Sequence, residues 1–464
     1  MKKAVHCSLL MMICFGMIVC FPGIARAETT PGDDGEAQFQ KISLTDAINL
    51  TWANNIVLKL LEEQIAAREL DLDRAEFYRK KLIDADEKIN DGLKAYYQGR
   101  SQLDNVIGLI NAGLIGPGHP AYLTAEEIAQ KEAQLADARE ELSANAKYRI
   151  DNLANAQVVE LYQTKAALGL EVTRLGVEEA RKQYALLTRQ KYYEVLKAQR
   201  LVDVKKAAVR RAENQYQMAK ASFEAGFRAK DDMLMAEAQL SLLKADLANG
   251  QNALNLAEIA LKQVMGLAQK TLIKLEDDFI FDRNITPLEI GLEQALKNRI
   301  EIKKSEMELE VSQINMELAK RYTSPHTFDY RQSQLDLVNA QLALEGQKQT
   351  VQGEVYGSYH TVLATGEMLD YVQESVQQAQ EAVDIAVYRY QEGYGIPSSV
   401  LKSLNMEDAA GTIFEVLAAE EKLSEVEEKV VEITYGYNLA KSKYEVDICA
   451  DENNAGMVGG VKND

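Results

Sequence analysis

The stretch Tyr192-Tyr-Glu-Val195-Leu-Lys-Ala-Gln-Arg-Leu-Val202-Asp-Val-Lys-Lys-Ala-Ala-Val209-Arg-Arg-Ala-Glu-Asn-Gln-Tyr216-Gln-Met-Ala-Lys-Ala-Ser-Phe223-Glu-Ala-Gly226 places one large apolar residue at every seventh position. A sustained seven-residue seam winds helices together with a left-handed supercoil. A second stretch repeats it: Val362, Leu369, Val376, Val383, Tyr390, then Gly393. A constant shift of 167 carries each position onto its counterpart, and Tyr359 answers Tyr192 by the same shift. An aromatic followed three residues later by glycine marks a helix that ends and turns back. Both returning arms keep the seam, through Leu240, Leu247, Leu254 and Leu261 and through Val416, Leu423, Val430, Tyr437 and Tyr444. Small residues between seam positions (Ala198, Ala212, Ala219, Ala379, Ala386) let helices approach closely. The chain is therefore read as a repeat of two long helical hairpins.

A second match opens each half. Leu44, Ile48, Trp52, Asn54, Ile56 and Leu58 correspond to Leu288, Leu292, Leu296, Asn298, Ile300 and Ile302, a shift of 244. The two shifts differ by 77, and that difference is extra chain in the first half. It forms an insertion over about 84–160, with breakers at Gly108, Gly113 and Gly116-Pro117-Gly118-His119-Pro120. Thr124 and Glu127 read as a capping box for a helix leaving that turn, so the insertion is itself a helical hairpin. Its tip, from Val106 to Gly116, is uncharged. Val106, Ile107, Leu109, Ile110, Leu114 and Ile115 are candidates for contact with a membrane or a partner, or for packing on neighbouring helices.

The expected organisation is a signal peptide at 1–27, a disordered segment at 28–41, a first repeat at 42–280, a second at 285–450 and a flexible tail at 451–464. Proline supports this division. Residues 121–286 and 326–396 contain none, and an internal proline would cost a helix about 3 kcal/mol. The rising helix of the second half is expected from about Asp329 to Glu392, spanning roughly 95 Å. The joint from Leu275 to Pro287 is a short strand or a loop. Asp231, Asp232, Ser398 and Ser399 are natural N-caps for the returning arms.

Lys2 and Lys3 precede an apolar run from Ala4 to Phe21, and Ala25-Arg26-Ala27 is a small-x-small cleavage site. The run ends in Pro22-Gly23, which suits removal rather than retention as an anchor. Removal takes three cations and no acid, moving the formal charge from −19 to −22. So acidic a chain does not hold nucleic acid by phosphate neutralisation. The charge favours cations near a pore, and serves equally as a solvated surface. Cys7, Cys14 and Cys20 fall in the signal, leaving Cys449 without a disulfide partner. His119, His326 and His360 have no metal-ligand spacing. With no phosphate loop or nucleophile elbow, the sequence offers no catalytic, cofactor-binding or metal residues and is not expected to be an enzyme.

The turns Phe223-Glu-Ala-Gly226 and Arg389-Tyr390-Gln-Glu-Gly393, each followed by a polar residue and leucine, resemble the periplasmic tips of TolC-type outer-membrane efflux factors. Ser43-Leu44-Thr45-Asp46-Ala47-Ile48 with Asn54-Asn55, and Ala295-Leu296-Lys297-Asn298-Arg299, resemble that family's repeat-opening motif, with Ile56 and Ile300 where proline is usual. The resemblance covers about residues 42–448. It implies a homotrimer whose helices form a tunnel, docked at its tips to a periplasmic adaptor (membrane fusion) protein and an inner-membrane transporter. By motif, Phe223, Gly226, Asp232 and Leu234, with Arg389, Tyr390, Gly393 and Leu401, are the adaptor-docking and aperture tips.

The family inserts two strands per repeat to build a membrane barrel. Here the second half offers only Tyr322 to Asp329, too short for strands of about ten residues, and the first half offers the helical insertion. The expected fold is all-α, a coiled-coil α-barrel protomer of two repeats with the β-barrel strands reduced or absent. The expected function is a duct component of a tripartite efflux or type I secretion system, placed in the periplasm and outer membrane. The alternatives are a non-conducting coiled-coil protein of the envelope and, more distantly, an adaptor.

Overall fold

The computed structural model describes residues 39–393 and 411–450. The elements run β1 (Gln40–Ile42), α1 (Leu44–Asn54), α2 (Ile56–Asn111), α3 (Ala125–Asn145), α4 (Leu153–Ala156), α5 (Tyr162–Glu224), α6 (Lys230–Val264), β2 (Ile273–Leu275), α7 (Leu288–Asn298), α8 (Ile300–Tyr322), α9 (Phe328–Glu392) and α10 (Ile413–Asp447). A five-residue π-helical turn, Gln157–Leu161, leads into α5. Among the described residues the strands are β1 and β2 alone, a parallel pair with Gln40 opposite Ile273 and Ile42 opposite Leu275. The fold is thus all-α with long hairpins, as the seams predict. The last residues of the segment expected to be disordered, Gln40 and Lys41, are strand, and the signal and tail lie outside the described residues.

The seams are where the helices meet. Val195, Val202, Val209, Val362, Leu369, Val383 and Tyr390 are buried, as are Leu240, Leu261, Val416, Leu423, Tyr437 and Tyr444. Contacts set the order of the columns. Glu213 of α5 pairs with Lys244 of α6 at 3.2 Å, and Tyr359 of α9 packs on Tyr444 of α10 at 5.5 Å between centroids. Between the hairpins, α5 meets α10. Arg189 pairs with Glu445 at 3.6 Å, Lys205 with Glu428 at 2.9 Å, and Arg211 with Glu420 at 2.6 Å and Glu427 at 2.9 Å. One number rises as the other falls along these pairs, so neighbours are antiparallel. The order is α6–α5–α10–α9, with α6 and α9 at the edges.

Each half opens with an eleven-residue helix that breaks after an asparagine, at Asn55 and at Arg299. Neither break uses proline. Asn55 is extended (ψ 117°), and its side chain accepts from the N–H groups of Val57 and Leu58, which starts α2. Arg299 is extended (ψ 131°) and is held by Glu301 at 3.0 Å and Glu354 at 2.7 Å. Asn54 donates to the carbonyl of Met265 at 2.9 Å. Gly266 follows at φ 67°, and a Cβ there would come within 2.6 Å of the Asn54 Cβ.

The inserted hairpin has no separate first arm: α2 runs unbroken from the opening motif to Asn111. It descends beside α5 through Glu62–Arg181, Glu69–Arg174 and Arg79–Val159 contacts. Beyond Asp86, which accepts from the Ile150 N–H, it pairs with α3. Gly92 and Gly99 face Leu142 and Leu135, so closely that a Cβ would stand 2.7 and 3.3 Å from a leucine methyl. The capping box of Thr124 and Glu127 is formed. In the second half the corresponding space is the turn from Thr323 to Thr327, with no strand.

Candidate functional site

Gly226 and Gly393 come to one end of the helices. There Ala219, Ala236, Val383, Ala386, Tyr390, Ile413, Val416, Ala419 and Leu423 form one buried cluster drawn from all four columns. In the first turn, Gly226 adopts φ 79°. Its N–H donates to the Phe223 carbonyl, and the Phe227 N–H to that of Ser222. This pair of bonds closes a helix end only with a left-handed residue at the glycine. Gly393, with φ 76°, caps α9 by donating to the Arg389 carbonyl.

The candidate residues divide between core and surface. Tyr390 is fully buried, whereas Phe223 at the matched position is half-buried and Leu234 is exposed. Asp232 is half-buried, and its carboxylate accepts from the Tyr390 hydroxyl at 3.5 Å. Arg389 pairs at 3.0 Å with Glu415, whose side chain is only 2 % exposed and also accepts from the Gly411 N–H. Leu401, Ser398 and Ser399 lie outside the described residues. Asp231 and Asp232 are not N-caps. Ala229 takes that position without a side-chain bond, and both acids stand in the first turn of α6, where the helix dipole favours negative charge.

Two residues missed in the sequence complete the site. Arg228 places its guanidinium 4.5 Å from the Tyr390 ring centroid and donates to the Tyr390 carbonyl. Phe227 is 83 % exposed. Arg228 carried no signal, since its partner belongs to the other hairpin, far along the chain. Phe227 was legible as an apolar residue just after the turn glycine.

The electrostatics follow the burial. Loss of solvent, with the Asp232 charge adding to it, pushes the Tyr390 phenol up to about 12. Burial first, and Asp231 second, raise the Asp232 carboxyl above its ordinary value. Asp232 thus titrates next to a phenol that stays protonated. Among the described residues no group of three or more His, Cys, Asp or Glu is placed to hold a metal ion.

At the other end, Val106, Ile107, Leu109, Ile110 and Ile115 are half-buried and Leu114 is 71 % exposed. Antiparallel pairing of α2 with α5 sets this tip opposite Gly226. Among the described residues no helix is long and apolar enough to cross a membrane.

No protein-family model matches the chain. It is similar to the outer membrane protein TolC of Vibrio cholerae serotype O1, at 29% identity over 171 residues, 34% of this chain and 38% of that protein. The matched stretch therefore spans well under half the length of this curated relative. A membrane protein from Pseudomonas aeruginosa shares the fold with a TM-score of 0.58 at 13% identity, over 87% of this chain and 93% of that one. The outer-membrane channel OprN does so with 0.56 at 12% identity, over 88% and 90%, and CusC with 0.56 at 12%, over 87% and 91%. The chain shares the long-hairpin fold of these solved membrane proteins and channels. The sequence resemblance to the TolC-type efflux factors agrees with the match to TolC.

Proposed function

We propose that this chain is one protomer of a TolC-like duct, a homotrimer that carries export across the periplasm and outer membrane without chemistry of its own. The observation that carries the reading is the state of the two edge helices. On α6, Met235, Leu242 and Leu256 are exposed at multiples of seven residues. On α9, Leu335, Leu342, Tyr356 and Leu363 do the same. These are second seams, separate from those buried inside the protomer. A heptad seam without a partner is stable only when another helix covers it. Tyr356 and Leu363 on the α9 edge of one copy lie near the level of the α6 edge of the next, whereas Leu335 and Leu342 lie beyond the end of α6 at Val264; repetition of one such contact closes a ring when its rotation closes.

The tips at Gly226 and Gly393 are then the aperture end, where an adaptor and an inner-membrane transporter dock. Phe227 and Leu234 offer exposed apolar contact, Arg228 and Asp232 tie the first turn to Tyr390, and the Arg389–Glu415 pair joins α9 to α10. The similar proteins bear the names of membrane proteins and channels, which supports a duct rather than an enzyme.

The test is oligomeric state in detergent together with conductance in a planar bilayer. Trimers that conduct, and that fall to monomers in Leu242→Glu with Tyr356→Glu, are expected. A wild-type monomer overturns the reading. Trimers without conductance replace it with a non-conducting envelope spacer.

A further inference from the structure

We infer that the tip of the inserted hairpin, Val106 to Thr124, seats in the uncharged surface of a lipid bilayer. The first ground is charge. That stretch contains no Asp, Glu, Lys or Arg, in a chain that is 27% charged, and charge resumes on either side with Asp104 and Glu126.

The second ground is the backbone. Lipid offers no partner to a free N–H, so a loop that enters it must satisfy its own. Over residues 112–124, Pro117 and Pro120 have no N–H. The N–H groups of Ala112, Gly113, Leu114, His119 and Tyr122 donate to loop or α2 carbonyls. That of Ala121 donates to the His119 ring at 3.1 Å and that of Thr124 to Glu127 at 2.8 Å. Those of Ile115, Gly116, Gly118 and Leu123 have no partner among the described residues, so the tip goes no deeper than the hydrated headgroup layer, where water and ester oxygens accept from them.

The third ground is a comparison within the chain. The helix ends at Gly113 and Gly266 carry the same pair of cap bonds. After Gly266 the next residue, Leu267, packs on the core. After Gly113 the next residue, Leu114, faces outward. The apolar residue is present in both, and at the hairpin tip no described residue of the protomer covers it; Phe227, after the same bonds at Gly226, is exposed too, but beside Arg228, Lys230, Asp231 and Asp232, charges that the Leu114 tip lacks.

The arms decide how deep the contact goes. From Asp86 to Asn111, α2 extends about 39 Å, held to α3 through the Gly92–Leu142 and Gly99–Leu135 approaches. Arg100, Asp104, Lys131 and Glu132 on these arms reach solvent, so the arms stay in water and only the tip enters the interface. The absence of any Lys or Arg at the tip, and the acidic balance of the chain, select a zwitterionic surface over an anionic one.

The test is flotation of the full-length protein with phosphatidylcholine vesicles, in low and high salt. Flotation that salt does not weaken is expected. Leu114→Asp with Ile115→Asp should reduce the bound fraction at least tenfold with helix content unchanged by circular dichroism. Phe227→Asp, at the far end, should float as wild type. Failure of the wild type to float, flotation of the tip variant as wild type, or binding confined to anionic vesicles at low salt overturns the inference. So does a tip variant that loses a protein partner while floating normally. None of these outcomes depends on ring closure, so the duct reading stands or falls separately.

Discussion

The guanidinium of Arg228 lies over the ring of Tyr390, 4.5 Å from its centroid, and donates to the carbonyl of the same residue. One side chain from the first turn thus holds both the face and the backbone of the second. Arg228→Ala removes a stacked cation worth about 1 kcal/mol while leaving the buried cluster beneath intact. Amides from Ala386 to Glu392 should exchange faster in hydrogen–deuterium measurements, with the melting temperature nearly unchanged. Unchanged exchange there would show that the turns are held by packing alone.

Asp232 carries the pH dependence of the same end. Its folded pKa is raised above the ordinary value of 3.8 by burial and by Asp231. The folded state therefore binds the proton more tightly than the unfolded chain. Stability from this group is complete below the unfolded value and is lost as pH rises through the raised one. Asp232→Asn should tighten the tips at neutral pH and flatten their change between mildly acid and neutral conditions. Tip amide exchange as a function of pH reads this directly.

Arg389 and Glu415 predict the largest loss. Arg389→Met strands a carboxylate that is 2 % exposed, a change that costs about 3 kcal/mol or more. Adding Glu415→Gln removes the stranded charge and should recover most of it. Chemical denaturation of the single and double variants measures the difference. Equal stability of the two would mean that solvent reaches Glu415 without Arg389.

Two glycines with nearly equal φ should differ in consequence. Gly226 (φ 79°) has open space where a Cβ would go, so Gly226→Ala costs about 1 kcal/mol for the left-handed backbone. Gly266 (φ 67°) faces the Asn54 Cβ at 2.6 Å, and Gly266→Ala adds an overpacking cost of about 1–3 kcal/mol. Thermal unfolding should rank the second variant well below the first.

Much of this fold was legible because its signals are local and periodic. The seams at Val195 and Val362 bury where the sevenfold spacing puts them. Gly226 and Gly393 turn as matched pairs, and Thr124 caps as written. The opening helices were legible by likeness, but their break was not. Asn55 starts α2 with side-chain bonds where a proline would act with its ring; Arg299 makes no such cap bond, and its guanidinium is held by Glu301 and by Glu354, which belongs to a different helix. The same limit hid Arg228. Asp231 and Asp232 misled as caps because α6 begins before them, at Lys230. The continuity of α2 into the insertion carried no mark of its own: no proline lies between Asn55 and Gly108, and Gly92 and Gly99 sit inside the helix.

The slot that α10 occupies between α5 and α9 also fixes an order of events. Glu213 and Lys244, which bridge α5 and α6, belong to one hairpin and are near in sequence, whereas Arg211 and Glu420 are separated by 209 positions. Closing the longer loop costs more entropy, and the partner does not yet exist while the first half is emerging. The α5–α6 hairpin can thus form early, with the face of α5 that α10 will cover, including Arg211 and Tyr216, still open to solvent. The interval between completion of α6 and arrival of α10 is when the nascent chain is most open to misassociation and proteolysis. Chaperones that bind unpaired amphipathic helices would act on it then.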